Sequence, residues 1–186
     1  MRLVLARNEK VANERREMRI ERIWAMPSPW TFTIKPIREL LDEEMHRSSR
    51  GWIDPFAGEN SPAAVTNDLN PIRPTNFHLP AVEFLIRFCD NSVDGVLFDP
   101  PYSPRQVKEC YDGIGLKLTQ KDTQQTFWAQ CKDEIARILV PGGKAICFGW
   151  GSNGIGKTRG FRMDRILLVP HGGNKNDTIV TVETKL

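Results

Sequence analysis

The sequence holds only four cysteines, Cys89, Cys110, Cys131 and Cys147. None forms a C-x-x-C pair or sits in a histidine pattern, so neither a zinc site nor a disulfide framework is expected, and no metal is assigned. No apolar run approaches the roughly 18 residues a membrane span needs, so no membrane association is expected. The opening MRLVLARNEK has an apolar patch too short for a signal peptide, which makes a reducing cytoplasm the expected setting. There is no internal repeat and no low-complexity tract. Nor is there a strong excess of one charge: 26 Lys and Arg against 23 Asp and Glu give a net charge of +3. That balance permits a polyanionic partner without demonstrating one. At 186 residues the chain suits one domain of ordinary size.

Residues 1–29 carry seven Lys or Arg against four Glu and end at the breaker MPSP. They read as a basic, weakly amphipathic helical arm, set apart from a main domain at 30–186. Beyond it, helical stripes (PIRELLDEEMHR, PAVEFLIRF, TQQTFWAQCKDEIARIL) alternate with short apolar runs (GWIDPF, VTNDLN, SVDGVLFDPP, KAICFGW). Such alternation predicts an α/β fold with a mostly parallel, doubly wound, Rossmann-like sheet covered on both faces. The ending differs. ILLVP, a Gly-Gly turn and DTIVTVETK predict an antiparallel hairpin at the sheet edge.

GSNGIGKT, residues 151–158, has the spelling of a phosphate-binding P-loop. A strand precedes it, but Gly160 follows Thr158 closely and the next apolar run is closed by Pro170, which suits a strand better than a phosphate-capping helix. A glycine-rich surface loop is the competing reading. As a mobile basic loop at the carboxyl end of its strand, it would let Lys157, Arg159 and Arg162 contact the phosphates of a polyanion such as a nucleic acid.

In open α/β sheets, ligands bind beyond the carboxyl ends of the strands. Three turns there hold chemistry: DPFAGENSP (54–62), NDLNP (67–71) and FDPPYS (98–103). In the third, a buried strand delivers Asp99, and Pro100 and Pro101 stiffen the backbone. A carboxylate and the Pro100 carbonyl then form two fixed acceptors beside the Tyr102 ring. That set suits a planar ring bearing an exocyclic NH₂, whose two protons the acceptors take while the tyrosine stacks. Asp99 would also serve as an ordinary turn cap before prolines.

The tetrad Asp99-Pro100-Pro101-Tyr102 resembles the [DNS]-P-P-[YFW] signature of S-adenosylmethionine-dependent amino-group methyltransferases, in the DPPY form common among DNA adenine-N6 methyltransferases. DPFAG resembles the family's cofactor loop, TFTIKPI (31–37) its upstream cofactor segment, and the tail looks like that of small phage-type methylases. The resemblance spans about residues 30–186. It implies S-adenosylmethionine as cofactor, held by Asp54, Pro55, Phe56, Ala57, Gly58 and Asn60 of the first turn, with Asp68 on the ribose and Lys35 on the carboxylate. Asn60 stands where a second glycine is usual, and Pro80 where an acidic residue would read the cofactor adenine. Asp68 follows Gly58 by ten residues, which leaves room only for a very short helix, and an Asx turn explains it equally. Lys35 also suits a plain surface position.

The resemblance implies methyl transfer to adenine N6 in DNA with base flipping. RNA or cytosine-N4 acceptors, and a nucleic-acid binder without turnover, are alternatives. Residues 103–122 suit a lid. With no room for a separate recognition domain, loops, the arm or a second subunit of a homodimer would read the target.

Overall fold

The apolar run Val93–Phe98 becomes strand β4, and its side chains alternate between two cores. Val96 and Phe98 enter one, Leu97 the other. A strand buried on both faces needs parallel neighbours with helices over each side. In the computed structural model, which describes residues 17–45, 51–115, 125–173 and 175–186, those neighbours are β2 (Trp52–Asp54) and β5 (Leu139–Gly149). With β1 (Arg19–Arg22), β3 (Val65–Thr66), β6 (Phe161–Val169) and β7 (Thr178–Lys185) they form a sheet ordered β1-β6-β7-β5-β4-β2-β3. Pairings β3/β2, β2/β4, β4/β5 and β1/β6 are parallel, while β7 runs antiparallel to both β5 and β6. The expected mixed sheet with a C-terminal hairpin is thus present.

Helices α2 (Ala81–Leu85) and α4 (Gln125–Ile138) cover one face. Cys131, Ile135 and Ile138 recur at helical spacing on α4 and meet Phe84, Leu85 and Val96 with almost no exposure. On the other face α1 (Lys35–Glu44) buries Ile37, Leu40 and Leu41 against Leu97, Ile146 and Val180. Pro36 sits in its first turn, where the missing N–H is harmless. Gly95 is required where β4 passes β2: a Cβ there would lie 2.3 Å from the Trp52 ring.

Two expectations are corrected. The N-terminal arm is not helical where it is described, since Arg19–Arg22 is a strand on the sheet edge; residues 1–16 of that arm lie outside the described residues. The cause is tertiary. Arg165 on β6, only 7% exposed, pairs with Glu21 of β1 at 2.5 Å and Glu43 of α1 at 2.5 Å, so the buried guanidinium pins the segment alongside β6. Second, no helix separates Gly58 from β3; the chain turns directly back, which is how Asp68 comes within ten residues.

Candidate active site

β2, β4 and β5 all end at the same edge of the sheet, and β4 delivers Asp99, Pro100, Pro101 and Tyr102 there. A cavity of about 680 Å³ opens at this edge, with Thr31, Phe56, Asp68, Arg73, Asp99 and Tyr102 in its wall. The catalytic-turn backbone is fixed from two sides. Trp128 Nε1 on α4 donates to the Pro101 carbonyl at 3.2 Å, not to that of Pro100. The Tyr102 N–H donates to Gln106 Oε1 at 2.8 Å, on helix α3 (Pro104–Asp112).

Asp99 is half-buried, and its carboxylate accepts the Tyr102 hydroxyl. The Thr31 hydroxyl is in hydrogen-bonding contact with both Asp99 and Tyr102. Burial raises the Asp99 carboxyl above the usual range, while these two bonds to its charged form pull it back. The Tyr102 phenol is raised in turn, by burial and then by the neighbouring carboxylate. Thr31 belongs to TFTIKPI, and this contact attaches that segment to the catalytic turn. The segment Ile23–Ile34 reaches it as a strap along the strand ends: the Ala25 N–H donates to the Pro170 carbonyl at 3.1 Å, and Phe32 meets Phe148 edge-on at 5.3 Å.

The loop after β2 is organised from behind. Asp54 has no exposed surface; one oxygen accepts the Phe56 N–H at 2.8 Å and the other the Ser61 hydroxyl at 2.6 Å. Burial pushes its carboxyl up to about 7. Asn67, also buried, donates to the carbonyls of Pro55 at 3.0 Å and Leu79 at 2.9 Å and accepts the Leu79 N–H at 2.9 Å. Asp68 faces the cavity with both oxygens braced, one by the Gly58 N–H at 3.1 Å and one by the Asn70 N–H at 2.8 Å. Gly58 takes φ +58, and a Cβ there would lie 3.7 Å from the Trp30 ring.

Of the residues expected to hold the cofactor, Pro55, Phe56, Asp68 and Asp99 line the cavity, and Pro80 joins them. Asp54 and Ala57 are buried and are not part of its wall. Asn60 opens on a separate hollow beside Phe32, Arg38 and Pro62. Lys35 is not in the cavity wall: its side chain is 77% exposed and lies 3.8 Å from Glu39, one helical turn on. The cation that does line the cavity is Arg73, stacked 4.9 Å over the Trp30 ring and paired with Glu59. Helix α3 supplies Gln106, Val107, Glu109 and Cys110 to the wall; residues 116–124 of the expected lid lie outside the described residues.

The basic loop does not stand beside the catalytic turn. Arg162 pairs with Thr184, which pairs with Lys144, opposite Gly95 near the start of β4. Trp150 leaves the catalytic edge, but the chain then descends the sheet face, burying Ile155 against the core. Lys157, Arg159 and Arg162 thereby reach the far end, where Arg159 pairs with Asp133 at 2.6 Å and Arg162 with Asp164 at 2.7 Å. Glu183 on β7 sets this course. Its carboxylate, 1% exposed, accepts the N–H groups of Ile155 at 2.5 Å and Gly156 at 3.1 Å. The N–H groups that a P-loop would turn to a phosphate are thus satisfied by an internal carboxylate. Gly154 is obligatory, since at φ +52 a Cβ would lie 2.1 Å from Glu183 Oε2. Only a single 3₁₀ turn, Lys157–Arg159, follows.

Thr31, Asn67 and Glu183 escape sequence reading because each acts through a partner far along the chain. Among the described residues, no group of three or more His, Cys, Asp or Glu is placed to hold a metal ion, and no helix is long and apolar enough to cross a membrane.

No family model matches the chain, and no curated protein does. Among solved structures it is similar to TrmN from Thermus thermophilus, at 18% identity and TM-score 0.53 over 82% of this chain and 49% of that one. It is also similar to the 1,6-didemethyltoxoflavin-N1-methyltransferase of Burkholderia thailandensis, solved with S-adenosylhomocysteine, at 13% identity and TM-score 0.58, covering 81% and 77% of the two chains. The chain spans about half the length of the Thermus protein. Sheet order, the antiparallel hairpin and these likenesses together give the chain a Rossmann-like, methyltransferase-type fold.

Proposed function

We propose that the chain transfers a methyl group from S-adenosylmethionine to the exocyclic N6 amine of adenine in DNA, with the target base flipped into the site. The observation that carries this reading is the Asp99-Pro100-Pro101-Tyr102 turn, held at the end of a buried strand in the wall of a 680 Å³ cavity that also holds Asp68. The cavity fits the cofactor's charges. Asp68, Asp99 and Glu109 place three acidic side chains in the wall. Such a field favours a ligand carrying a sulfonium and an ammonium. Asp68, its orientation fixed by two backbone N–H groups, is poised to accept ribose hydroxyls, and Phe56 offers an apolar face.

S-Adenosylmethionine, when bound, would supply a methyl group on a sulfonium that leaves as a neutral thioether, and the proton lost from the amine passes to Asp99 or to solvent. The residues' task is positioning. An aromatic amine is a weak nucleophile because its lone pair is delocalised into the ring. The Asp99 carboxylate and the Pro100 carbonyl, accepting its two protons, favour the pyramidal form in which that pair is free. Asp99 accepts the Tyr102 hydroxyl in this structure, so the incoming amine replaces that bond and frees the ring for stacking.

The test is nucleoside mass spectrometry of DNA incubated with protein and S-adenosylmethionine. N6-methyldeoxyadenosine is expected, lost in Asp99→Ala. A folded protein that gives no calorimetric heat with S-adenosylmethionine, or no methylated base, would sink the reading.

A further inference from the structure

Two stretches beside the cavity are uncharged and rich in aromatic residues. From Ile23 to Ile34 the strap contains no charged residue, nor does Gly149–Gly156. Trp150 follows β5 directly, is 46% exposed, and its ring stands 5.6 Å from that of Tyr102 in the catalytic turn. Trp24, 60% exposed, follows β1 and lies against Gly172 at the β6–β7 turn, with Met26, 69% exposed, beyond it. β1 and β5 are three strand spacings apart in the sheet. At about 4.8 Å per spacing, the strand ends that carry the two tryptophans are roughly 14 Å apart along one edge. The arginines near the cavity are engaged by carboxylates, Arg73 by Glu59 and Arg105 by Glu109, and Arg159 and Arg162 lie at the opposite end, each on an acidic partner.

Duplex DNA presents its phosphates outward and its base faces not at all, so proteins that hold it rely on Lys and Arg. A single strand offers base faces, and aromatic side chains bind these whatever the base. Resting on the amine-methylation reading above, we propose that these two stretches dock a single-stranded polynucleotide, with bases flanking the target stacked on Trp150 and Trp24. The continuity of both with the cavity argues for this occupant: Trp150 touches the catalytic turn, and the strap carrying Trp24 continues to Thr31 in the cavity wall. An unpaired target base enters without the cost of opening a duplex.

The test is fluorescence anisotropy with the full chain and labelled adenine-containing oligonucleotides, single-stranded and duplex, as DNA and RNA, from about 50 to 300 mM salt. Single strands are expected to bind about tenfold or more tighter than duplex, with a shallow salt slope. Trp150→Ala and Trp24→Ala should each weaken single-strand binding about tenfold, with quenched tryptophan emission in the parent, while Lys157→Ala changes nothing. Equal or tighter duplex binding, no binding to either form, or indifference to both tryptophan changes overturns the proposal. So does light scattering that shows an oligomer dispersed by Trp24→Ala, which would make the patch a self-interface. Methyl transfer to the same oligonucleotides is measured in parallel. Tight, tryptophan-dependent single-strand binding without transfer sinks the enzymatic reading alone; transfer to duplex that ignores both tryptophans sinks the docking alone.

Discussion

Asp54 gives the most quantitative test of how the loop after β2 is held. Its carboxyl is completely buried and pushed up to about 7 from an ordinary 3.8, chiefly by burial, while bonds from Ser61 and Phe56 oppose the shift and the nearby Asp99 and Asp68 add to it. The folded state therefore keeps a proton that the unfolded chain has released. Between these two values the unfolded state binds fewer protons, so stability falls as pH rises, and the loss is complete above about 7. At about 1.4 kcal/mol per pH unit, the interval from pH 5 to 7 accounts for about 3 kcal/mol. Asp54→Asn removes this titration and keeps the geometry, since the amide oxygen still accepts the Phe56 N–H and the Ser61 hydroxyl can turn to accept the amide N–H. Urea unfolding of both proteins from pH 5 to 8.5 cancels the carboxyls that do not interact with Asp54 and leaves its titration with that of its neighbours Asp99 and Asp68. The variant should gain on the parent by about 3 kcal/mol across pH 5 to 7 and hold that gain above. A difference that stays flat with pH, or a variant that loses ground as pH rises, would show that Asp54 is ionised in the fold throughout and that burial does not govern it.

Other changes test separate parts of the molecule. Gly154→Ala places a methyl against the Glu183 carboxylate in a backbone region that disfavours side chains, and should lower stability by at least about 2 kcal/mol in thermal unfolding; an unchanged midpoint would mean the carboxylate does not fill the loop. Asn67→Ala strips partners from the buried Pro55 and Leu79 backbone and should cost about 2–4 kcal/mol and weaken S-adenosylmethionine binding by calorimetry. Thiol titration of the native protein should find Cys89 and Cys110 reactive, while Cys131, buried and pushed up to about 12, and Cys147, raised by burial, react only after unfolding; rapid reaction of all four would contradict the core packing.

The centre of the sheet was legible because burial on two faces leaves a local trace: GVLF and AICFG are continuous apolar runs, and the helix over them repeats Cys131, Ile135 and Ile138 at helical spacing. The course of the Asp99–Tyr102 turn was legible for a similar reason, since two prolines after such a run admit few backbone paths. What escaped depends on distant partners. RIER has no strand alternation, and Arg19–Arg22 is extended only because β6 and the buried Arg165 receive it. The course of the glycine loop is decided by Glu183, 27 residues beyond Gly156, so the position of Lys157 and Arg159 could not be read from their neighbours. Lys35 points outward because Ile34 and Ile37 already claim the inner face of their turn.

Glu183 gives the loop a built-in counter-anion. A backbone nest that awaits a phosphate changes shape with the solute it meets, whereas one already filled from inside depends on no solute for its form. The segment from Gly154 to Gly156 is thus a fixed hinge pin between the strand that ends beside the cavity and the hairpin that closes the sheet. Its resemblance to a nucleotide cradle is one of spelling and local geometry, with the guest supplied by the protein itself.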